Sequence, residues 1–313
     1  MADTLPKVVI ILGPTATGKT DLGIALAKKF NGEIISADSR QVFKKMEIGT
    51  VKPPGEWRGV GESKAYMVEG VPHYCMDIID PGTELSMADF KTLAIAHVND
   101  IRARGKVPFI VGGTGLYIWS VVDNLDIPKV PPHKKLRRSL EKKTLLELQI
   151  WLKKIDLEAY KVIDLKNPRR LIRALEVAIL SGESFNTLRR KAPEPIIDSL
   201  QLGIHRPTED LYRRINYRAD KLVENGWIEE TRSLLKQKYD WNLPSMSSLG
   251  YKQIGYYLRG EKSLEDVIAS IKQDTRHYAR RQMTWFKRDK RIQWMEGAEV
   301  AKAERIVKEF LKK

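Results

Sequence analysis

The chain has 313 residues, of which 42% are hydrophobic and 30% charged. This length can bury a full core and suggests two domains, or one domain with a large insertion. No run approaches the roughly 18 apolar residues that a membrane span needs, and the N-terminal segment lacks the basic start and cleavage site of a signal peptide. We therefore expect a cytoplasmic protein without a membrane partner. The single cysteine, Cys75, excludes an internal disulfide and a cysteine-rich zinc site.

The formal net charge of +15 is concentrated in one part of the chain. Residues 1–126 carry 14 lysines and arginines against 15 aspartates and glutamates, whereas residues 127–313 carry 41 against 25. A basic part joined to a neutral part predicts a polyanionic partner, with nucleic acid favoured over an anionic membrane. A generally lysine-rich proteome would give the same excess, so charge alone leaves that alternative open.

Strands and helices alternate in the predicted structure of the first 126 residues. Apolar runs that stop at glycine or aspartate indicate buried strands, and helical spacing of apolar residues indicates the helices between them. The predicted elements are a strand over 7–12, a helix over 21–30, a strand over 33–37, irregular structure over 49–70, a helix over 86–104 and a strand over 107–111. This order is typical of an α/β fold with a doubly wound parallel sheet and flanking helices.

The pattern changes near residue 127, where a basic, proline-rich turn begins. Helical spacing then dominates until about residue 193, and a further strand is predicted over 199–205. Long helices are predicted over 208–225, 228–237 and 263–290. We interpret residues 127–196 as a helical insertion domain between the two parts of one catalytic core, residues 1–126 and 197–313.

A phosphate-binding motif follows the first strand and precedes the first helix. The residues Gly13, Pro14, Thr15, Ala16, Thr17, Gly18, Lys19 and Thr20 match G-x-x-x-x-G-K-[ST] in the context that this motif requires. Glycines let the backbone wrap around phosphate oxygens, whose charge also meets the positive end of the helix dipole. Lys19 adds a cation, and the Thr20 hydroxyl is placed to bind Mg²⁺. The motif predicts a P-loop NTPase-like core.

The loop alone does not identify the compound that it holds, since it also occurs in nucleotide-binding and ATP-binding proteins. In motor ATPases and GTPases a strand ends in an aspartate that helps hold magnesium. Here the strand over 107–111 runs into Gly112 and Gly113, which argues against a motor and favours a transferase that acts on a small phosphorylated donor. The nearest carboxylate is Asp38, after the second strand. At that edge it would lie near the phosphates, where a carboxylate makes sense as a proton acceptor. The alternative is an N-cap for a helix that starts near Ser39.

Together the motifs resemble one family, the tRNA dimethylallyltransferases (tRNA isopentenyltransferases), in their bacterial form. The similarity runs over almost the whole chain. The motifs are GPTATGKT (13–20), SADSRQVF (36–43), KMEIGT (45–50), VGGTGLY (111–117), NPRRLIRALE (167–176), Arg214 and Ile215 with Arg218, SLGYKQ (248–253) and RRQMTWF (280–286). One departure is Cys75, at a place expected to be aliphatic, where a thiol can take over the packing. Eukaryotic members add a zinc finger, which a chain with one cysteine is expected to lack.

The resemblance implies transfer of a dimethylallyl group from dimethylallyl diphosphate to N6 of the adenosine 3′ of the anticodon in tRNA. Asp38 would be the general base, Thr114 would hydrogen-bond near the reacting centre, and Lys19 with Arg218 would neutralise the leaving diphosphate. Mg²⁺ would be the cofactor, and we expect a monomer. The residues expected to contact the tRNA anticodon stem-loop are Asp38, Ser39, Arg40, Gln41, Arg169, Arg170, Leu171, Ile172, Arg173, Ser247, Ser248, Leu249, Gly250, Tyr251 and Lys252.

A basic helix near the C-terminus extends this set. Lys272, Arg276 and Arg280 recur every four residues and so share one helical face. Interleaved aromatic residues favour contact with RNA phosphates and bases, although such residues also pack inward, as we expect of Trp285 and Phe286. The residues of this helix expected to contact tRNA are Arg276, Arg280, Arg281, Gln282, Thr284 and Lys287.

Three other functions compete with this interpretation. An adenylate isopentenyltransferase would act on free nucleotide, and would need neither the basic part nor the insertion. A small-molecule kinase would use Asp38 as its base and ATP as its donor. A nucleic-acid-binding module without catalysis would leave Asp38 and Thr114 unexplained.

Overall fold

The computed structural model describes residues 5–61, 63–126, 130–188 and 194–313. The chain divides into two compact units, residues 1–121 with 196–313 and residues 122–195. The boundaries predicted from the sequence were 126/127 and 196/197. That the second unit contacts tRNA stays a prediction.

A single sheet forms the centre of the first unit. Within the described residues its strands are β1 (Lys7–Leu12), β2 (Gly32–Ala37), β3 (Glu56–Val60), β4 (Ser63–Val68), β5 (Val71–Tyr74), β6 (Val107–Gly112), β7 (Asp198–His205) and β8 (Gln293–Glu296). Their order across the sheet is β3-β4-β5-β2-β6-β1-β7-β8. From β5 to β8 along this order all neighbouring strands are parallel. The pairs β3 with β4 and β4 with β5 are antiparallel. The predicted α/β class is confirmed.

The prediction of irregular structure over residues 49–70 is wrong. β3 and β4 form an antiparallel pair at the edge of the sheet, with Trp57 opposite Tyr66 and their rings edge to face at 6.0 Å. β3 is largely exposed, so it has neither the apolar run of a buried strand nor a clear alternation. The tandem prolines lie just before it, at Pro53 and Pro54, where they do not interrupt the pairing.

Helices surround the sheet and build the second unit. In the first unit they are α1 (Lys19–Lys29), α2 (Met87–Ala103) and α3 (Gly115–Val122), whose last residue is the first of the second unit. In the second unit they are α4 (Lys134–Glu141), α5 (Leu145–Ile155), α6 (Leu157–Val162), α7 (Pro168–Ser181) and α8 (Phe185–Leu188). The first unit resumes with α9 (Thr208–Glu224), α10 (Trp227–Lys236), α11 (Tyr251–Leu258), α12 (Leu264–Phe286) and α13 (Val300–Lys312). None of the described helices is long and apolar enough to cross a membrane.

The hydrophobic core of the first unit has two main clusters. One joins the central strands to α1 and α13, through residues such as Ile11, Leu26 and Val307. The other joins the segment after β2 to α9, α10, α11 and α12, and contains Phe43, Trp227 and Tyr251. The second cluster positions helices beside the carboxyl ends of the strands, which is the edge where ligands bind in open α/β sheets.

Candidate active site

The phosphate loop connects β1 to α1, and its backbone explains its glycines. Gly13 has φ 145°, and a Cβ there would lie 2.3 Å from the carbonyl oxygen of Ile204. Gly18 has φ 97° and forms the N-cap of α1. The Thr17 hydroxyl donates to the Pro14 carbonyl at 2.9 Å and closes the loop from within. The loop therefore has the sharp path that lets backbone N–H groups converge on an anion.

Lys19 lies at the centre of a group of charged side chains. Its Nζ donates to the Pro14 carbonyl at 2.6 Å. Burial lowers the pKa of Lys19 to about 8, while nearby Asp38 acts to raise it and nearby Arg218 to lower it. Burial also lowers the pKa of the Arg218 guanidinium, against the influence of Asp21. Three of the four predicted catalytic residues are thus within electrostatic reach of one another.

Asp38 follows the last residue of β2, at the carboxyl edge of the sheet. Its Oδ1 accepts a hydrogen bond from the backbone N–H of Arg40 at 2.8 Å. Residues 39–42 form turns, and no helix begins there. The alternative interpretation of Asp38 as a helix N-cap is therefore wrong.

Thr114 lies beside Asp38, because β6 pairs with β2. Its Oγ1 accepts from the N–H of Ser39 at 3.0 Å, and its own N–H donates to the Ala37 carbonyl at 3.1 Å. A Cβ on Gly112 would lie 2.2 Å from that same Ala37 oxygen. The glycines before Thr114 thus let the two loops approach closely, and the fourth predicted catalytic residue joins the other three.

Two further side chains hold the phosphate loop, and neither role is predicted from the sequence. Gln282 on α12 is buried, accepts from the Thr15 N–H at 2.9 Å and donates to the Gly113 carbonyl at 2.8 Å. Arg206, just after β7, donates from Nε to the Thr17 carbonyl at 3.1 Å and from Nη1 to Asp210 at 3.1 Å. The sequence could have indicated this role for Arg206, because a basic residue directly after the strand that pairs with β1 lies close to the phosphate loop. Gln282 was predicted only as a tRNA contact, and nothing local marked its internal bonds.

The predicted tRNA contacts of residues 38–41 and 247–252 come together in the first unit. Arg40 donates to the Pro244 carbonyl at 2.8 Å, which ties the two segments. Ser247 and Lys252 are exposed. Gln41 bonds to the backbone of Thr50 and Val51. Ser39 and Leu249 are partly buried, and Ser248, Gly250 and Tyr251 are buried.

Burial of Gly250 and Tyr251 reflects a contact between two motifs. Glu230 on α10 accepts from the backbone N–H groups of residues 47–49 at 2.7–3.1 Å and from the Tyr251 hydroxyl at 2.6 Å. A Cβ on Gly49 would lie 2.0 Å from Trp227, and one on Gly250 would lie 1.9 Å from the same ring. The glycines of KMEIGT and SLGYKQ are therefore explained by packing around Trp227.

Helix α12 passes the site with one face inward and one outward. Tyr278 faces inward, and burial raises the pKa of its hydroxyl, with nearby Asp38 acting in the same direction. Phe286 is buried and Trp285 stacks at a tilt on Trp119, as packing residues. Arg276 is partly buried and donates to Asn216 at 2.7 Å. The exposed residues predicted to contact tRNA are Arg280, Arg281, Thr284 and Lys287.

The remaining predicted tRNA contacts lie on α7 of the second unit. Arg169 and Arg170 are exposed, Leu171 is buried in the core of that unit, and Ile172 is partly buried. Arg173 donates to the buried Glu176 and to the Val130 carbonyl. Burial acts to raise the pKa of Glu176, but hydrogen bonds from Arg137, the His133 N–H and Arg173 hold it below its usual range. The two exposed arginines are the best placed of this set for an external ligand.

Metal-binding residues are sparse. No group of three or more His, Cys, Asp and Glu side chains that could hold a metal ion occurs in the described part of the chain. Cys75 is buried, and burial raises the pKa of its thiol to about 12. It packs as a small apolar residue.

Comparison with known proteins agrees with the geometry. The family model described as IPP transferase matches residues 41–289, and the isopentenyl transferase model matches residues 6–69. The tRNA dimethylallyltransferase of Acetivibrio thermocellus is 40% identical, over 97% of this chain and 96% of the relative. The same enzyme of Chloroflexus aggregans is 42% identical, over 90% and 93%.

Solved structures give the same result. The tRNA isopentenylpyrophosphate transferase of Bacillus halodurans is 35% identical, with a TM-score of 0.70 over 98% of this chain and 97% of that one. A eukaryotic dimethylallyltransferase acting on tRNA is 28% identical, with a TM-score of 0.79 over 98% of this chain and 79% of that one. The resemblance inferred from the motifs is confirmed: the chain belongs to the IPP transferase family, with the tRNA dimethylallyltransferases as its relatives over nearly their full length.

Proposed function

We propose that this protein transfers the dimethylallyl group of dimethylallyl diphosphate to N6 of the adenosine 3′ of the anticodon in tRNA. The observation that carries the proposal is that the parallel pairing of β1, β6 and β2 brings the phosphate loop and Asp38 to one edge of the sheet, where Asp38 acts on the pKa of Lys19. A transferase of this kind needs a cationic site for the leaving diphosphate and a base for the amine, close to each other. A dimethylallyl diphosphate donor and a tRNA acceptor, the substrates expected from membership of this family, suit Lys19 and Asp38 respectively.

The chemistry follows from the roles of these side chains. The C1–O bond of the donor breaks, the exocyclic amine of adenine forms the new N–C bond, and its proton passes to the Asp38 carboxylate. Lys19 and Arg218 compensate the negative charge that develops on the diphosphate. Thr114, held by Ser39, offers a hydroxyl at the reacting centre. The adenine has to leave its stack to reach the donor carbon, as in other base-modifying enzymes.

Mg²⁺ is the metal that fits this site. It is typically held by one or two carboxylates or, in a loop of this kind, by the Ser/Thr hydroxyl after the lysine, together with substrate phosphates and waters. Thr20 lies in the first turn of α1, directly after Lys19. The Thr20 hydroxyl and the donor phosphates would hold the ion. When bound, it would neutralise charge on the diphosphate.

The acceptor is a large polyanion in this proposal. The charge excess beyond residue 126 and the exposed basic residues of α12 and α7 support tRNA, in particular its anticodon stem-loop. We propose that the protein acts as a monomer in the cytoplasm, where its substrate is found. The related activity on free adenylate would need no such surface.

One experiment tests the proposal against its rivals. The protein is incubated with dimethylallyl diphosphate, Mg²⁺ and either unmodified tRNA or adenosine monophosphate, and the acceptors are analysed by mass spectrometry. We expect a dimethylallyl mass gain on the tRNA, at the nucleoside 3′ of the anticodon. A gain on the mononucleotide alone would indicate an adenylate isopentenyltransferase, and transfer of phosphate from ATP would indicate a kinase.

A further inference from the structure

Helix α12 reaches the candidate active site through the side chain of Gln282. This residue is only 7% exposed, and both ends of its amide are used. The Oε1 atom accepts from the Thr15 N–H in the phosphate loop at 2.9 Å, and Nε2 donates to the Gly113 carbonyl at 2.8 Å. One amide thus links the loop after β1 to the loop after β6.

The packing around this link is tight. A Cβ on Gly113 would lie 2.5 Å from Gln282 Nε2, so a glycine is needed for the amide to reach that carbonyl. A Cβ on Gly115 would lie 2.3 Å from Trp285, which is also on α12. Thr114 lies between these two glycines. The position of its backbone is therefore set by two side chains of α12.

We propose that Gln282 is a positioning residue for the transfer reaction, whose amide sets the distance between the phosphate loop and Thr114. The inference rests on the proposed function, in which that loop holds the diphosphate and Thr114 faces the reacting centre. Gln282 acts through Thr15 and Gly113. A displacement of about 1 Å between reacting groups costs on the order of a hundredfold in rate, so loss of the link should lower kcat more than it changes the donor KM.

The chemistry of the amide suggests a variant that can be switched. A protonated carboxylic acid offers one donor and one acceptor, as the amide does here, whereas an ionised carboxylate only accepts. In Gln282→Glu the ionised form would still accept from Thr15 but would repel the Gly113 carbonyl. Burial raises the pKa of a carboxyl, so mildly acidic solution should restore the link.

The test compares kcat and donor KM for wild type, Gln282→Ala, Gln282→Glu and the control Gln273→Ala, an exposed glutamine on the same helix. We expect Gln282→Ala to lower kcat about a hundredfold, with the donor KM changed by less than about threefold. For Gln282→Glu, the ratio of its kcat to that of wild type at the same pH should rise roughly tenfold between pH 8 and pH 5.5. Gln273→Ala should match wild type.

Two outcomes would overturn the inference: wild-type kcat in Gln282→Ala, or a Gln282→Glu ratio that does not change with pH. Loss of folding in the alanine variant leaves the glutamate ratio as the deciding measurement. If wild type itself transfers no dimethylallyl group to tRNA, the proposed function fails. If wild type is active and the variants equal it, only the role of Gln282 fails.

Discussion

Strand β2 has a carboxylate near each end, and the two carboxylates differ in their hydrogen-bond partners. At the amino edge of the sheet, Glu33 is fully buried and accepts hydrogen bonds from Arg104, Lys106 and the Tyr74 hydroxyl at 2.6–2.7 Å. At the carboxyl edge, Asp38 bonds to the backbone of Arg40. Within the described residues, Lys19, Asp38 and Arg218 form no ion pairs with one another. The partners of Glu33 lie inside the protein, which indicates a role in stability, whereas the charge of Asp38 is left for an external partner, which indicates a role in function.

Asp38→Asn should give the largest effect, because it removes the proposed base and keeps the size of the side chain. General-base catalysis typically contributes about 10²–10⁴-fold, so we expect kcat to fall by that factor while donor and tRNA affinities stay near wild type. Single-turnover transfer and equilibrium binding measure the two quantities separately. A kcat within a factor of two of wild type would remove Asp38 from the mechanism.

Glu33→Gln should show the opposite pattern. Removing the charge leaves Arg104 and Lys106 without their buried partner, at a cost on the order of 3 kcal/mol in the free energy of unfolding. Urea unfolding measures this loss, and kcat of the folded protein should not change. A variant that unfolds like wild type but turns over slowly would mean that the amino edge takes part in function.

The pH dependence of Glu33 sharpens this contrast. Burial acts to raise the pKa of Glu33, but hydrogen bonds from Arg104, Lys106 and Tyr74 lower it to about 2. A carboxyl whose pKa is lower in the folded protein stabilises the fold above the unfolded pKa. This stabilisation is lost as the pH falls toward the folded value. The difference in stability between wild type and Glu33→Gln should therefore shrink between about pH 5 and pH 2.

Lys19 should make donor binding depend on pH. Its pKa of about 8 in the free protein means that the charged form, which binds diphosphate, is lost above that value. The affinity for pyrophosphate should fall above pH 8 and approach a tenfold loss per pH unit. Lys19→Arg should remove this dependence, since arginine stays charged.

Lys19→Ala should weaken pyrophosphate binding by about tenfold to a hundredfold at pH 7. Titration calorimetry across pH 7–10 measures all three proteins.

The same shift has a consequence for stability. The pKa of Lys19 is lower in the folded protein than in the unfolded chain, so the unfolded chain binds more protons between about pH 8 and pH 10.5. Stability contributed by this site should therefore rise with pH in that window. A wild-type affinity for pyrophosphate that changes with pH in the same way as that of Lys19→Arg would contradict the enclosed position of the Lys19 ammonium.

Local patterns in the sequence predicted the parts of the site that are formed by residues close together in the chain. The phosphate loop and Asp38 follow strands with continuous apolar runs, and parallel strands carry both to the same edge. The bridge from Gln282 to Thr15 joins residues 267 positions apart, and no local pattern reports such a pair. The hairpin of β3 and β4 was missed because an exposed edge strand has no apolar periodicity.

Family motifs also left one distinction open. KMEIGT and SLGYKQ were both recognised, but recognition does not separate residues that contact a substrate from residues that pack. Gly49 and Gly250 lie against Trp227, and Tyr251 donates to Glu230. Among the tRNA contacts predicted over residues 247–252, Ser247 and Lys252 keep exposed side chains. Substrate contacts are therefore better sought at those two positions.

The exposed arginines of α12 give the smallest expected effect and the sharpest test of an external partner. If they hold an RNA backbone, each neutralised phosphate releases counterion, and log affinity falls against log salt by about 0.7–0.9 per contact. Arg280→Ala with Arg281→Ala should flatten that slope by about one to two units. Arg276 is already bonded to Asn216, so its replacement should change the slope less. Arg305→Ala, an exposed arginine on α13, is the control and should leave the slope unchanged.

The slope is measured by filter binding of unmodified tRNA across a salt series. Transfer to a short anticodon stem-loop should depend less on salt, because the stem-loop offers fewer phosphates. Equal slopes in the double variant and wild type would show that this face of α12 does not hold the RNA.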